Sequence, residues 1–443
     1  MPEQERVLLV GGGGREHAIA AALAGDCELH ACASNRSPGI TRLASEFHAV
    51  EGTDVEGVVE VAEAVDADLA VIGPEAPLAA GVVDALAEAG VYAFGPPRDA
   101  ARIETDKVWA RQFMRDHDVP GCPAFETFAS SEVAAEHVAD LDHDVAVKPR
   151  GLTGGKGVRV TGDQLSRTEA AAYARESDHE AWVIEERLVG EEFTVQAFVA
   201  DGDVVATPAV QDHKRAYEGD EGPNTGGMGS YSDTTRELPF MRRAEYEAAV
   251  ETVEATVDAL AAAGHDYRGV LYGQFMLTAD GLRVVEFNAR FGDPEATNTL
   301  PVLETPLLDV LRAARDGRPL PAPDFDGRAT VCKYAVPEGY PTEPEAGTRL
   351  DVDPDTGLAE PEARLFFASV DERETGLFTT TSRALAVVGV GDSIAAAETA
   401  TERGLSEIGE TGLRVRHDVG TEASVRERVE HARELRGEST ESP

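Results

Sequence analysis

Apolar residues in this chain fall into short runs closed by glycine, proline or a charge, and between them lie longer stretches with helical spacing. Residues 6–10 (RVLLV), 69–73 (LAVIG) and 145–147 (VAV) are continuous apolar runs of strand length, the pattern of buried strands. Residues 192–198 (EFTVQAF) alternate as a half-buried strand, and 181–188 give another. Residues 269–277 and 282–288 predict adjacent strands joined by a turn at Asp280-Gly281. Helical spacing predicts helices over 15–23, 82–89, 103–117, 243–263 and 306–316. In 103–117, Trp109, Phe113 and Met114 form the apolar face and Lys107 falls off it near the start. Residues 74–78 (PEAPL) are expected to be a rigid loop, and 222–229 (GPNTGGMG) a glycine-rich one. A last α/β segment has strands near 329–335 and 384–389 and a helix near 394–407.

Composition narrows the function. The chain has 443 residues, enough for several domains, and a formal net charge of −42. That charge repels nucleic acid and anionic membranes, so neither is expected as a partner. The acids are dispersed through the chain, as in a halophilic protein whose self-repulsion concentrated salt screens over roughly 3 Å at 1 M. Cys27, Cys32, Cys122 and Cys332 show no CxxC spacing, so neither a zinc site nor a disulfide framework is expected. There is no signal-peptide pattern and no apolar run of about 18 residues, so a soluble, cytoplasmic chain is expected, as a monomer or weak dimer.

The candidate chemistry centres on residues 145–157, VAVKPRGLTGGKG. An apolar strand delivers Lys148, and a turn containing Gly154, Gly155, Lys156 and Gly157 follows. Glycines let backbone N–H groups approach an anion, and lysine adds a point charge. Only five lysines occur among the 40 basic residues: Lys107, Lys148, Lys156, Lys214 and Lys333. Lysine is so scarce that its survivors are expected where a compact ammonium is required, which points to polyphosphate. Lys107 at a helix start opposes the macrodipole unless it reaches toward phosphate.

A second anion pocket is expected where the first strand meets Gly11 to Gly14 and a helix opening on Arg15. The dinucleotide fingerprint is not met, since G-x-G-x-x-G ends on Glu16 or His17 and the second strand leads to no ribose acid. A smaller phosphorylated ligand fits, with Arg15 as its partner. Glu75, after the 69–73 strand, is either a site carboxylate or an acid favoured at a helix start. In VVEFNARFGDPE (284–295), Glu286 and Asn288 share one face of a strand. With Gln274 from the preceding strand they offer the oxygen ligands that magnesium prefers, and Arg290 stands ready to stabilise a transferring phosphoryl group. No GxxxxGK[ST] sequence exists.

These stretches resemble the ATP-grasp superfamily and, within it, the phosphoribosylamine–glycine ligases. The matching stretches are GGGGREHAI (11–19), VIGPEAPL (71–78), VAVKPRGLTGGKGV (145–158), EERLVGEEFTV (185–195), QDHKR (211–215), GPNTGGMGSYS (222–232) and VVEFNARFGDPE. The resemblance implies an α/β and α+β multidomain chain: an N-terminal parallel-sheet (pre-ATP-grasp) domain, a two-lobed ATP-grasp core and a small C-terminal α/β domain. Expected boundaries are 1–102, a connecting helix 103–122, a lid 123–188, a catalytic lobe 189–327, a last domain 328–430, and a tail 431–443 with a disordered end.

The resemblance also implies roles. Lys107 and Lys148 bind ATP phosphates under the Gly154-Gly155-Lys156-Gly157 loop, which acts as a lid. Glu185, Glu186 and Leu188 line the adenine, and Glu192 takes the ribose. Glu286, Asn288 and Gln274 hold magnesium, with manganese as an alternative. Gly13, Gly14, Arg15 and Glu75 contact 5-phosphoribosylamine. Asp212, Lys214, Arg290 and Asp293 surround the glycine and acyl-phosphate site, and Asp212, Lys214 and Arg290 carry the chemistry. Three stretches depart from the family pattern: Pro149-Arg150 just after Lys148, and residues 366–369 and 380–383 of the last domain. The implied reaction activates glycine as glycyl phosphate and transfers it to the amine. The nearest rival is an ATP-grasp ligase for another phosphoribosyl purine precursor. A nicotinamide oxidoreductase and a nucleotide sensor are disfavoured by the broken fingerprint and by the retained Glu286, Asn288 and Lys214.

Overall fold

Strands Glu46–His48, Glu28–Cys32, Arg6–Val10, Leu69–Ile72 and Tyr92–Phe94 lie side by side in that order, all parallel. A computed structural model describes residues 4–153, 157–355, 357–409 and 411–438. Gly154, Gly155 and Lys156, and the tail end expected to be disordered, lie outside the described residues. The strand order reverses between Arg6–Val10 and Leu69–Ile72, and such a switch point opens a crevice at the carboxyl ends of the strands. Gly11 turns the chain there at φ +123°, where a Cβ would strike Glu16 and Pro74.

Two local expectations change. Residues 74–78 are not a loop: a helix, Glu75–Ala80, begins on Glu75. Pro77 falls in its first turn, where a missing N–H costs nothing. The helix expected over 103–117 is two helices, Arg102–Thr105 and Lys107–Asp116. Asp106 separates them and caps the second, its Oδ1 accepting the Trp109 N–H at 3.1 Å. Lys107 is therefore the first helical residue.

An antiparallel sheet, Phe125–Phe128, Trp182–Glu186, Val145–Pro149 and Arg159–Val160, packs on helices Ser131–Asp140 and Arg167–Glu176 through Val138, Val147, Trp182 and Ile184. A second antiparallel sheet holds Asp203–Ala206, Gly190–Ala200, Gly269–Thr278 and Gly281–Asn288. Its core extends to helix Arg243–Ala262 and to the parallel sheet, so the second lobe and the first domain share apolar packing.

The remaining large sheet joins Gln211–Asp212, Gly229–Ser232, Ala329–Pro337, Leu385–Gly391 and Ala363–Phe367. Ser230 pairs with Cys332 across the boundary expected at 327/328, so the strands at QDHKR and after the glycine-rich loop are built into the C-terminal sheet. The last helix, Glu422–Leu435, runs past residue 430 and lies beside the strand Gly190–Ala200.

Candidate active site

Register brings the metal candidates together. Gln274 lies directly opposite Glu286, and Tyr272 opposite Asn288. The ladder then slips, because Phe275 pairs with Val284 and leaves Val285 as an extra residue. That bulge frees the Val285 carbonyl, which accepts from Arg111 Nη2 at 2.7 Å and Lys148 Nζ at 3.0 Å. Both cations also hold Glu185: Arg111 Nε–Oε1 is 2.7 Å and Lys148 Nζ–Oε2 is 2.8 Å. Lys148 thus links the two antiparallel sheets. Burial lowers its affinity for a proton, opposed by the charge of Glu185.

Glu286 is surrounded by cations at longer range. Burial pushes its carboxyl up, but Lys214, Lys107, Lys148 and Arg290 outweigh that and hold it down to about 2. Gln274 Oε1 instead accepts from Lys214 Nζ at 2.5 Å, and its amide donates to Glu192 Oε2 at 2.7 Å. Asn288 Oδ1 accepts from Arg290 Nη2 at 3.0 Å. Arg290 also faces Glu104 at 3.1 Å and Glu75 at 3.4 Å. A carboxylate with two amide oxygens beside it suits a hard cation, and the surrounding positive charge suits a cation that arrives with phosphate.

These groups line one cleft of about 810 Å³. Of the expected residues it brings together Arg15, Glu75, Lys107, Lys148, Glu185, Glu186, Leu188, Glu192, Asp212, Lys214, Gln274, Glu286, Asn288, Arg290 and Asp293. Gly13, Gly14 and Gly157 are not among its lining residues. The Gly13 N–H is taken by Glu16 Oε2 at 2.7 Å, and a side chain at Gly14 would collide with the Tyr334 hydroxyl. Arg15 is held inward, by Glu16 Oε1 at 2.6 Å and the Phe291 carbonyl at 3.1 Å. Lys107 Nζ donates to the Gly151 carbonyl at 3.0 Å. The departure at Arg150 has a role in this: its guanidinium clasps Asp106, the cap of the Lys107 helix, at 2.6 and 3.0 Å. Lys333 is apart from the other lysines, fully buried on Glu398 and Glu402 at 2.8 and 2.5 Å.

At the other end, Asp212 is half-buried, and its buried Oδ1 has no hydrogen-bond partner among the described residues. Burial and the nearby charge of Glu295 push its carboxyl well up. Asp293 accepts from Tyr334 at 2.5 Å and pairs with Arg383 at 2.9 Å. Arg383 also donates to the carbonyls of Gly226, Gly227 and Asp293 at 2.6, 2.9 and 3.1 Å. It pins the glycine-rich loop over the cleft. Gly227 adopts φ +106°, with Asp212 and Pro294 where a Cβ would lie.

Sequence reasoning missed Glu104, Arg111 and Arg383. The first two sit in the 103–117 stretch and carried a signal only as polar residues interrupting an apolar face. Arg383 carried none, because it reaches the site from the last domain.

Family models cover most of the chain. Those described as "Phosphoribosylglycinamide synthetase" match through the N domain at residues 5–104, the ATP-grasp (A) domain at 105–296 and the C domain at 330–422. A phosphoribosylamine–glycine ligase of Methanosarcina barkeri is 50% identical over 440 residues, covering 98% of this chain and 100% of the relative. The crystal structure of the phosphoribosylamine–glycine ligase of Thermotoga maritima superposes with a TM-score of 0.79 at 28% identity, covering 93% of this chain and 99% of that one. A biotin carboxylase complex from Campylobacter jejuni, 14% identical, shares the fold with a TM-score of 0.73 over 97% of this chain and 98% of that one.

Proposed function

The chain belongs to the phosphoribosylglycinamide synthetase family, and from that premise we propose that it joins glycine to 5-phosphoribosylamine with ATP, giving glycinamide ribonucleotide, ADP and phosphate. It is a carbon–nitrogen ligase of the ATP-grasp type, acting in purine biosynthesis. The observation that carries the reading is the shared cleft of Lys148 and Glu286, joined through the bulged Val285.

A carboxylate is a poor acyl donor, because oxide or hydroxide would have to leave. Attack of the glycine carboxylate on the γ-phosphate makes phosphate the leaving group instead. The amine of 5-phosphoribosylamine then displaces it. The chain's tasks are positioning, charge neutralisation and exclusion of water. Lys107 and Lys148 hold the triphosphate. Glu186, Leu188 and Glu192 line the nucleoside end, and Glu185 serves to aim Lys148. Glu286, Asn288 and, once Lys214 releases it, Gln274 would hold magnesium or manganese, which neutralises phosphate charge when bound. Arg290 and Lys214 stabilise the transferring phosphoryl group. Asp212, with its unsatisfied oxygen and raised proton affinity, accepts a proton as the amine attacks. Arg15 and Glu75 face the phosphoribosyl end, with Gly13 and Gly14 setting the turn beneath it.

The substrates are small molecules, and neither nucleic acid nor membrane is a partner. No helix among the described residues is long and apolar enough to cross a membrane. The dispersed acids support a cytoplasm of high salt. Phosphate release with ATP, magnesium and fresh 5-phosphoribosylamine tests the reading. Release should require glycine. Release that is independent of glycine would overturn the reading.

A further inference from the structure

At the outer edge of the parallel sheet, away from the cleft, three ligand-type side chains converge. His30 lies on Glu28–Cys32, and Glu46 and His48 lie on the three-residue edge strand Glu46–His48. The parallel register sets His30 against Glu46 and Cys32 against His48, so all three project from one face. One ligand atom from each lies within 4.8 Å of the others. None of the three lines the cleft.

The imidazoles at this edge lack partners. His30 is 6% exposed, and neither of its ring nitrogens has a hydrogen-bond partner. The Nε2 of His48 also has none. Buried polar atoms are nearly always satisfied, so three orphaned nitrogens in one place call for a missing partner. Carboxylates stand close without hydrogen-bonding: Glu28 Oε1 is 3.4 Å from His30 Nε2, and Glu46 Oε2 is 3.8 Å from His48 Nε2.

We propose that His30, Glu46 and His48 bind one divalent transition-metal ion of the zinc class, with Glu28 or water completing the coordination. Two imidazoles and a carboxylate suit zinc better than magnesium, which prefers oxygen alone. Bonds of about 2.0–2.2 Å place tetrahedral ligand atoms roughly 3.4 Å apart, so a small side-chain rotation closes the site. The ion would brace the three-residue edge strand against its neighbour. This site is independent of the nucleotide cleft and of the reaction proposed there.

The test uses the full chain, stripped with a chelator and kept in excess magnesium so that oxygen sites are filled. Zinc is titrated against a chromophoric chelator. One equivalent should bind, and His48→Gln and Glu46→Gln should each weaken it about 100-fold or more while leaving the metal-free melting temperature unchanged. Glu286→Gln, in the cleft, should bind zinc like the wild type. X-ray absorption of the zinc-loaded wild type, which needs no variant, should report two imidazoles with oxygen and no sulfur. Absence of stoichiometric binding, binding that survives both edge variants, binding lost with Glu286→Gln, or an oxygen-only spectrum would each overturn the site.

Discussion

Lys148 and Glu185 meet at 2.8 Å, and the same ammonium reaches 3.0 Å to the carbonyl of Val285, the residue just before Glu286. One lysine thereby fixes the distance between the sheet that carries it and the strand that carries the metal-candidate carboxylate. Glu185 does not depend on Lys148 alone, because Arg111 binds both of its oxygens at 2.7 and 3.0 Å.

Lys148→Met should therefore abolish most turnover without unfolding the chain. Removing a partner of a buried pair is destabilising when it strands a charge. Here Arg111 keeps the Glu185 carboxylate satisfied. A fall in kcat of roughly 10²–10³, typical for loss of one preorganised group on developing charge, is expected. Circular dichroism and the melting curve should stay near wild type. Turnover close to wild type would remove Lys148 from the phosphate site.

Glu286→Gln keeps the shape of the side chain and removes the charge that Lys214, Lys107, Lys148 and Arg290 surround. The free magnesium needed for half-maximal activity should rise by at least about ten- to a hundredfold, a range that even an outer partner of a metal ligand commands. Activity measured against free magnesium decides this. An unchanged magnesium curve would mean that Glu286 balances lysines and holds no cation.

The strands and the residues they carry were legible because both signals are local. The run at 145–147 and the alternation before Asn288 each announce a strand and the polar group that it presents. The glycine-rich stretch 222–229 was legible only in part, since its first residues belong to the strand Glu221–Asn224, paired with Arg215–Tyr217. The bulge at Val285 was not legible, since it depends on how two strands slide past each other. Nor were the pairings of Arg111 with Glu185, 74 positions apart, or of Arg383 with Gly226, 157 apart. Charge pairing across such distances leaves no periodic trace. At Glu75 the error was one of rule: two prolines suggested a loop, whereas a proline in the first helical turn is harmless.

Arg383→Ala separates loop anchoring from nucleotide binding. The guanidinium pairs with Asp293 at 2.9 Å and ties down the carbonyls of Gly226 and Gly227. Without it, the Asp293 carboxylate keeps Tyr334 alone among the described residues, and the loop over Asp212 loses its pin. The KM for glycine should rise about tenfold or more, the worth of roughly one charge-assisted hydrogen bond. The KM for ATP should hold. Arg383→Lys should recover little, because a single ammonium does not reproduce the fork that meets four acceptors. Equal changes in both KM values would refute the assignment.

Glu104 gives the fold a pH dependence with a definite sign. Burial raises its carboxyl from 4.5 to about 7, against the pull of Arg290 at 3.1 Å. Below pH 4.5 the folded and unfolded chains both hold this proton, so the stabilising contribution is fully present. As the pH climbs to about 7 the unfolded chain has released it while the folded chain has not, and the contribution is lost. The loss is on the order of 3 kcal/mol, since holding the proton across each pH unit of that window costs about 1.36 kcal/mol. Glu104→Gln mimics the protonated form and cannot titrate. Its urea-unfolding stability should match wild type near pH 4.5 and exceed it increasingly up to pH 7–8, in high salt to suppress the surface charges. A wild-type-minus-variant difference that stays flat with pH would mean that Glu104 is ionised throughout, as a plain partner of Arg290.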